Sequence, residues 1–255
     1  MKMSSTGMKW ALAVAAMGLV FSSASWAQQD SETDSGWSST GIIYLLAPSL
    51  DGTVGIGPVE GDIDMNAGDV FSALDMAFLG MYAGEGDRWG VVVDVVYMDL
   101  SEDDISGPAG LVTGEVGNKQ FSGLVSASYR MTDHTRLLAG FMYTDITADI
   151  RITSPLNSRY AKTSESWADP VVGVLFNAPI SENWDFTGLA QIGGGMGADL
   201  AYVLTASVGW QFGERTGLTL GYRYLDFDYE DGQGANRFKF DMKEYGPAVG
   251  FRFNW

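Results

Sequence analysis

Residues 245–255 read Tyr245-Gly246-Pro247-Ala248-Val249-Gly250-Phe251-Arg252-Phe253-Asn254-Trp255. Taken alternately, one face carries Tyr245, Pro247, Val249, Phe251, Phe253 and Trp255. The other carries Glu244, Gly246, Ala248, Gly250, Arg252 and Asn254. A period of two places these sets on opposite sides of a β-strand. A water-soluble protein does not normally leave an aromatic ladder running to its terminal carboxylate. A strand of a closed barrel in lipid does, because lipid takes the apolar face and the last strand pairs with the first. Phe251, Phe253 and Trp255 are accordingly expected to form the signal by which such a barrel is assembled.

The opposite end of the chain points to the same compartment. Lys2 and Lys9 precede an apolar run from Trp10 to Phe21, and Ser25-Trp26-Ala27 reads as a small-x-small cleavage site. Residues 1–27 are thus expected to be a secretory signal peptide, too short to span a membrane. Residues 28–255, with a polar lead-in at 28–36, are expected to form one domain, and about 228 residues suit a single barrel. The 33 glycines fit turns and close strand contacts, and the lack of cysteine removes thiolate and disulfide chemistry. The formal charge of −17 becomes −19 without Lys2 and Lys9, a balance that argues against nucleic-acid partners.

The same alternation recurs upstream. Tyr202, Leu204, Ala206, Val208, Trp210 and Phe212 oppose Val203, Thr205, Ser207, Gly209 and Gln211, and Trp89, Val91, Val93, Val95 and Tyr97 oppose Arg88, Gly90, Val92, Asp94 and Val96. Strands are expected at 37–48, 76–84, 88–100, 119–131, 136–149, 166–180, 184–195, 201–213, 217–229 and 237–255. The fold class is therefore an all-β, closed antiparallel transmembrane barrel of about ten strands, or eight if the first pair is misread, with periplasmic termini. Short turns near 85–87, 132–135, 181–183 and 214–216 alternate with longer links at 49–75, 101–118, 150–165 and 230–236, which matches short periplasmic turns and long outer loops.

Aromatic placement tests this topology independently. Trp37, Trp89, Trp184, Trp210 and Trp255 fall beside the termini or the short turns. Trp167, Tyr97, Tyr143, Tyr202 and Tyr245 fall toward the other end, so these residues are expected to form two girdles at the membrane interfaces. Eight steps of ~3.3 Å at ~40° tilt give roughly 20 Å, near the ~25 Å apolar band. The segment 49–75 stands apart. Its first part is extended and interrupted by glycine, and 67–74 has room for two helical turns with Asp69 as cap. It is expected to fold over or into the mouth, or to cover the rim.

Leu218-Thr219-Leu220-Gly221-Tyr222-Arg223-Tyr224-Leu225-Asp226, the strand ending at Trp210 and the closing Gly250-Phe251-Arg252-Phe253-Asn254-Trp255 resemble small proteobacterial outer-membrane barrels. That group includes the OmpA transmembrane domain, OmpW-type proteins and opacity-type adhesins. Ala47-Pro48-Ser49-Leu50-Asp51-Gly52 and Arg88-Trp89-Gly90 resemble a subgroup of it without assigned functions. The resemblance covers nearly all of the expected domain. It implies a barrel in the bacterial outer membrane, in contact with lipid, lipopolysaccharide and the barrel-assembly machinery, and specifies function weakly.

Little in the sequence points to catalysis. The single histidine, His134, falls in a short turn, where a polar turn residue is expected rather than a general base. Asp226-Phe227-Asp228-Tyr229-Glu230-Asp231-Gly232 departs from a calcium loop in the place of its glycine and the lack of a closing glutamate, so a strand leaving the membrane is expected there. No enzyme activity, cofactor or metal is expected. Charges on the face opposite lipid are Arg88, Asp94, Arg130, Asp169, Arg223, Glu244 and Arg252. This near-balance of sign suits either a salt-bridged, packed interior or a narrow wet pore, and the small strand number favours the first. Two functions remain open: a structural or passive small-solute permeation role, or surface interaction through acidic outer loops binding cations, lipopolysaccharide or a host or phage partner. The sequence does not set the oligomeric state.

Overall fold

The computed structural model describes residues 36–57, 59–106, 113–154 and 157–255. The expected signal peptide and nearly all of the lead-in lie outside the described residues. Among the described residues, twelve strands, one α-helix and a 3-10 turn follow one another: β1 (Ser38–Leu46), β2 (Ser49–Ile56), β3 (Val59–Met65), α1 (Ala67–Ala73), β4 (Leu74–Glu85), β5 (Trp89–Ser106), β6 (Thr113–Arg130), β7 (Thr135–Ser154), β8 (Asn157–Ser181), β9 (Trp184–Gly193), β10 (Leu200–Gln211), β11 (Thr216–Asp231), the 3-10 turn (Gly234–Asn236) and β12 (Phe238–Asn254).

Ten of these close into an antiparallel barrel. The order runs β1-β4-β5-β6-β7-β8-β9-β10-β11-β12, and β12 returns to β1 from Thr40↔Asn254 to Leu46↔Ala248. Closure pairs the first and last strands, as lipid requires because it supplies no hydrogen-bonding partners. β2 continues β1 along β12, from Ser49↔Tyr245 to Ile56↔Phe238, and β3 adds a hairpin strand outside that lane. The hairpin turns at Gly57, whose φ of 60° is the left-handed conformation that glycine tolerates best.

Alternation decides which side chains meet which medium. Ile43, Leu45, Phe141, Val172, Leu204, Leu220 and Phe251 are exposed on the outer surface, while Asp94, Ser126, Ser128, Arg223 and Glu244 are buried within. The exposed apolar positions form the belt that a bilayer covers. Trp184 stacks on Trp210 with ring centroids 6.0 Å apart, and Tyr82 lies beside Trp255, all toward the end with short turns. At the other margin Tyr202, Tyr224 and Tyr245 stack in a row at 5.7 and 5.9 Å.

The long outer links are mostly strand, not loop. β5 to β8 run on past the Tyr143 level, and β7 pairs β8 out to Ser154↔Asn157. They rise as one sheet facing a second made of β11, β12, β2 and β3. Apolar side chains fill the space between: Ile146, Trp167, Phe227, Tyr229, Phe238 and Phe240 form one buried cluster. Two twisted sheets with apolar inner faces pack as a sandwich for the same reason a soluble sandwich does. In these stretches the inner face is apolar and serine, threonine and aspartate fill the outer one, as for Ile146 and Ala148 against Asp145 and Thr147. The Asp226–Asp231 stretch is strand, as its alternating aromatics require.

α1 falls where two helical turns were expected, but its cap is Asn66 rather than Asp69. The Asn66 side chain accepts from Gly68 N and Asp69 N, and Asp69 accepts in return from Asn66 N, a reciprocal capping box. Val70 packs inward into the lumen cluster, so the segment enters the mouth.

The closing register generates a prediction. Phe253→Asp or deletion of Trp255 removes apolar contact where β12 meets β1, and is expected to cut recovery of the heat-modifiable folded form from the outer-membrane fraction. Gel mobility of boiled against unboiled samples reads this directly; normal assembly of both variants contradicts the assembly-signal role of 251–255.

Candidate functional site: a sealed lumen above a periplasmic cavity

The lumen has three levels. Outermost is the apolar sandwich just described, sealed by a clasp at Trp167. Its ring stacks on Tyr229 at 3.8 Å and meets Phe227 edge-on at 6.5 Å. Beneath it the β9–β10 loop folds inward. Asp169 Oδ1 accepts from Met196 N and Gly197 N at 3.1 and 2.7 Å, and Oδ2 accepts from Ala198 N at 2.9 Å. A buried carboxylate is thereby satisfied by three backbone amides and needs no arginine. Gly197 has no room for a side chain, since a Cβ there falls 2.5 Å from Trp167 Cβ.

The middle level is a buried ionic lock. Arg223 Nη1 donates to Asp94 Oδ2 at 2.5 Å and to the Tyr44 hydroxyl at 2.9 Å, and that hydroxyl donates to Asp94 Oδ1 at 2.9 Å. The three residues come from β11, β5 and β1 and close into a ring of three hydrogen bonds. Glu244 is buried on β12 opposite Leu225, outward of the lock. Gln191 Nε2 on β9 donates to Ser126 Oγ on β6 across the barrel at 3.2 Å.

The innermost level is a cavity of about 430 Å³ in the periplasmic half. Its wall mixes apolar Ile42, Met81, Leu175 and Ala248 with Thr187 and Thr205, and the lock forms its roof. Two further ion pairs stand in its wall: Arg252 Nη1 to Asp185 Oδ1 at 2.7 Å and Arg136 Nη2 to Glu85 Oε2 at 3.0 Å. Every lumen arginine therefore faces a carboxylate, and no ring of one sign constricts the passage among the described residues.

Of the charged residues expected in the lumen, Asp94, Asp169, Arg223, Glu244 and Arg252 lie there. Arg88 and Arg130 do not. Both are exposed at the periplasmic rim, where Arg130 Nη2 donates to the Gly86 carbonyl, because their positions lie beyond the last full turn of wall. Arg136, Asp185 and Glu85 take part instead. Arg136 shares the inward parity of Leu138 and Met142, and Asp185 that of Leu189, so alternation held the signal. Trp167 also needs correction: it is buried inside, not at the membrane surface. The other aromatics named for the girdles, Trp37, Trp89, Trp184, Trp210, Trp255, Tyr97, Tyr143, Tyr202 and Tyr245, sit at outward positions of their strands or, for the two terminal tryptophans, at the open ends. His134 is exposed in its turn, its Nδ1 3.1 Å from the Asn177 carbonyl oxygen.

This architecture is a transmembrane β-barrel of the bacterial outer-membrane type. Among solved structures it is similar to the outer membrane protease OmpT from Escherichia coli, with 7% sequence identity over 89% of this chain and 99% of that one and a TM-score of 0.51. Matches also include the translocator domain of the autotransporter NalP from Neisseria meningitidis, with 12% identity, 97% of each chain and a TM-score of 0.40. A third is Ail, the attachment invasion locus protein of Yersinia pestis, with 15% identity, 86% and 99% coverage and a TM-score of 0.32. No family model and no curated protein matches the sequence.

The lock supplies the test of the sealed lumen. Arg223→Ala leaves Asp94 buried without its cation, so it is expected to destabilise the barrel by roughly 3–5 kcal/mol, more than loss of any single outer-loop acid. Thermal unfolding followed by gel mobility measures this. An Arg223→Ala barrel that keeps its stability but conducts ions contradicts the packed interior.

Proposed function

We propose that this barrel passes or holds small, largely apolar solutes in its periplasmic half and does not conduct ions. The observation that carries the reading is the 430 Å³ cavity, with its mixed apolar and hydroxyl wall, roofed by the Arg223–Asp94–Tyr44 lock. That volume lies in the range of small-molecule sites, which are mainly apolar with a few polar groups to orient the ligand. An ion entering the cavity meets arginines already paired with carboxylates, and above the lock it meets packed side chains whose crossing requires full desolvation. The partners this reading requires are membrane lipid and lipopolysaccharide around the belt, and the assembly machinery that inserts the barrel. Catalysis is not part of it: the lone histidine faces a main-chain carbonyl in an exposed turn, without the nucleophile-base-orienter geometry that hydrolysis uses.

A second reading rests on charge. Residues 48–76 hold six acids and no base, and they form the outward hairpin, α1 and the start of β4. Such a surface suits binding of cations or a cationic partner above the membrane.

Planar-bilayer recording and dye binding separate the two. The purified protein is expected to be electrically silent at all voltages while binding an apolar fluorescent naphthylamine saturably, with Leu189→Glu in the cavity wall abolishing the signal. Steady ohmic conductance contradicts the sealed lumen. Silence without dye binding removes the solute reading and leaves the acidic surface as the functional element.

A further inference from the structure

Among the described residues, the barrel wall has a break between β1 and β4. Along β12, Thr40–Leu46 of β1 and Ser49–Ile56 of β2 pair in one register. Along its other edge, pairing with β4 stops at Ile43↔Gly80, and pairing with β3 begins only at Leu50↔Met65. Residues 44–49 therefore have no strand partner on that side. The chain opposite, 66–79, takes a detour through α1, and β4 follows β5 instead, with Phe78 paired to Tyr97. The break begins at the level of the outer girdle on β4, and on β1 it lies deeper, where Leu45 pairs Val249. An unpaired edge at lipid depth costs several kcal/mol per backbone group, so it is not a neutral irregularity.

Polar groups stand only toward the outer end of the break, at Ser49, Asp75 and the α1 cap, and its deeper part is apolar. Its outer lips are Leu45, Met76 and Phe78, exposed at 64%, 55% and 43%. Behind them Leu46, Leu79, Val96 and Met98 form a separate buried cluster with the ring of Tyr44, against which Ile42, Met81 and Ala248 pack. Those last three also line the periplasmic cavity. A packed run of uncharged side chains thus extends from the lips, past the Tyr44 side of the ionic lock, to the cavity wall. The direct axial route is sealed by the sandwich. α1 bridges the break as a lintel, touching β2, β3 and β5 and fixed by its Asn66–Asp69 box and by Val70.

We infer that the β1–β4 break is a lateral portal through which small apolar molecules move between the outer leaflet and the periplasmic cavity. The inference rests on the solute reading above and supplies its route. Leu46 and Leu79 form the inner gate, since they stand between the lips and the cavity lining. Charged and strongly polar solutes are refused because the lining gives no partner for the groups they must desolvate. Ions find no continuous water, so passage proceeds without conductance.

The absence of native cysteine permits a clean test. The full chain carrying Leu45→Cys and Phe78→Cys is placed in the outer membrane of a host strain and bridged with a bis-maleimide whose spacer contains a disulfide. A control carries Val208→Cys and Leu220→Cys, neighbours across a fully paired seam on the same outer surface. Uptake of the apolar naphthylamine dye is followed by fluorescence in cells, and its binding is measured on the purified, bridged protein. Bridging the break is expected to reduce uptake to that of cells lacking the protein, and reductant is expected to restore it, while dye binding in detergent persists. The control bridge is expected to change nothing. Undiminished uptake through the bridged break, with binding intact, overturns the portal and leaves the cavity reading standing. Equal loss of uptake from both bridges also overturns it. Failure of the unbridged protein to bind dye overturns the cavity reading itself. Heat-modifiable mobility of each variant confirms that the compared barrels are folded.

Discussion

At bilayer depth every backbone N–H and C=O must find its partner inside the protein. The rest of this structure depends on that constraint. It explains why β12 returns to β1, why the final strand carries its aromatics to the last residue, and why the outer surface alternates so cleanly between Ile43, Leu220 or Phe251 and the residues beneath them. It also makes the unpaired stretch opposite residues 44–49 meaningful. Where a wall must be continuous, a break survives only with an apolar surround and a helix across it.

Inside, the opposite demand holds, because charge placed there must be paired or wet. The chain meets it in three ways. Arg223, Asp94 and Tyr44 satisfy one another, Asp169 takes backbone amides from a folded-in glycine-rich loop, and Arg252 and Arg136 pair at the edge of the open cavity. Outward of the lock, Asp169 and Glu244 are buried, and the sandwich of β5–β8 against β11, β12, β2 and β3 closes the outer half with aromatic side chains. Closure above and volume below belong to one design: the lock is at once the floor of the first and the roof of the second.

Much of this was legible because a two-residue period is a local signal. Parity alone separates Arg223 and Glu244 from Tyr222 and Tyr245, and it places Asp94 inside. Trp167 shows the cost of leaving it aside. It lies two residues from Asp169 on one strand, so the two share a face, and placing Asp169 in the lumen already commits Trp167 to it. Arg88 and Arg130 have inward parity but stand at strand ends, where height along the barrel decides and sequence gives height only to within a few residues. The β2–β3 hairpin was hidden for another reason: Asp51, Glu60, Asp62 and Asp64 rise above the membrane, where neither lipid nor a neighbouring sheet enforces alternation on the outward face. The β1–β4 break is a matter of register between distant strands, and nothing local encodes it.

The central claim is that one face of each strand meets lipid and the other a lumen sealed above Glu244. Spin labels placed singly at positions 238–255 of β12 in bilayers, with collision rates for oxygen and for a water-soluble nickel chelate, test it most directly. The account predicts high oxygen access at the odd positions from Tyr245 to Phe253, and low access to both relaxants at Phe240, Met242 and Glu244. Ready access of the chelate at those even positions, continuous with the periplasmic end, would show an open pore and contradict the account.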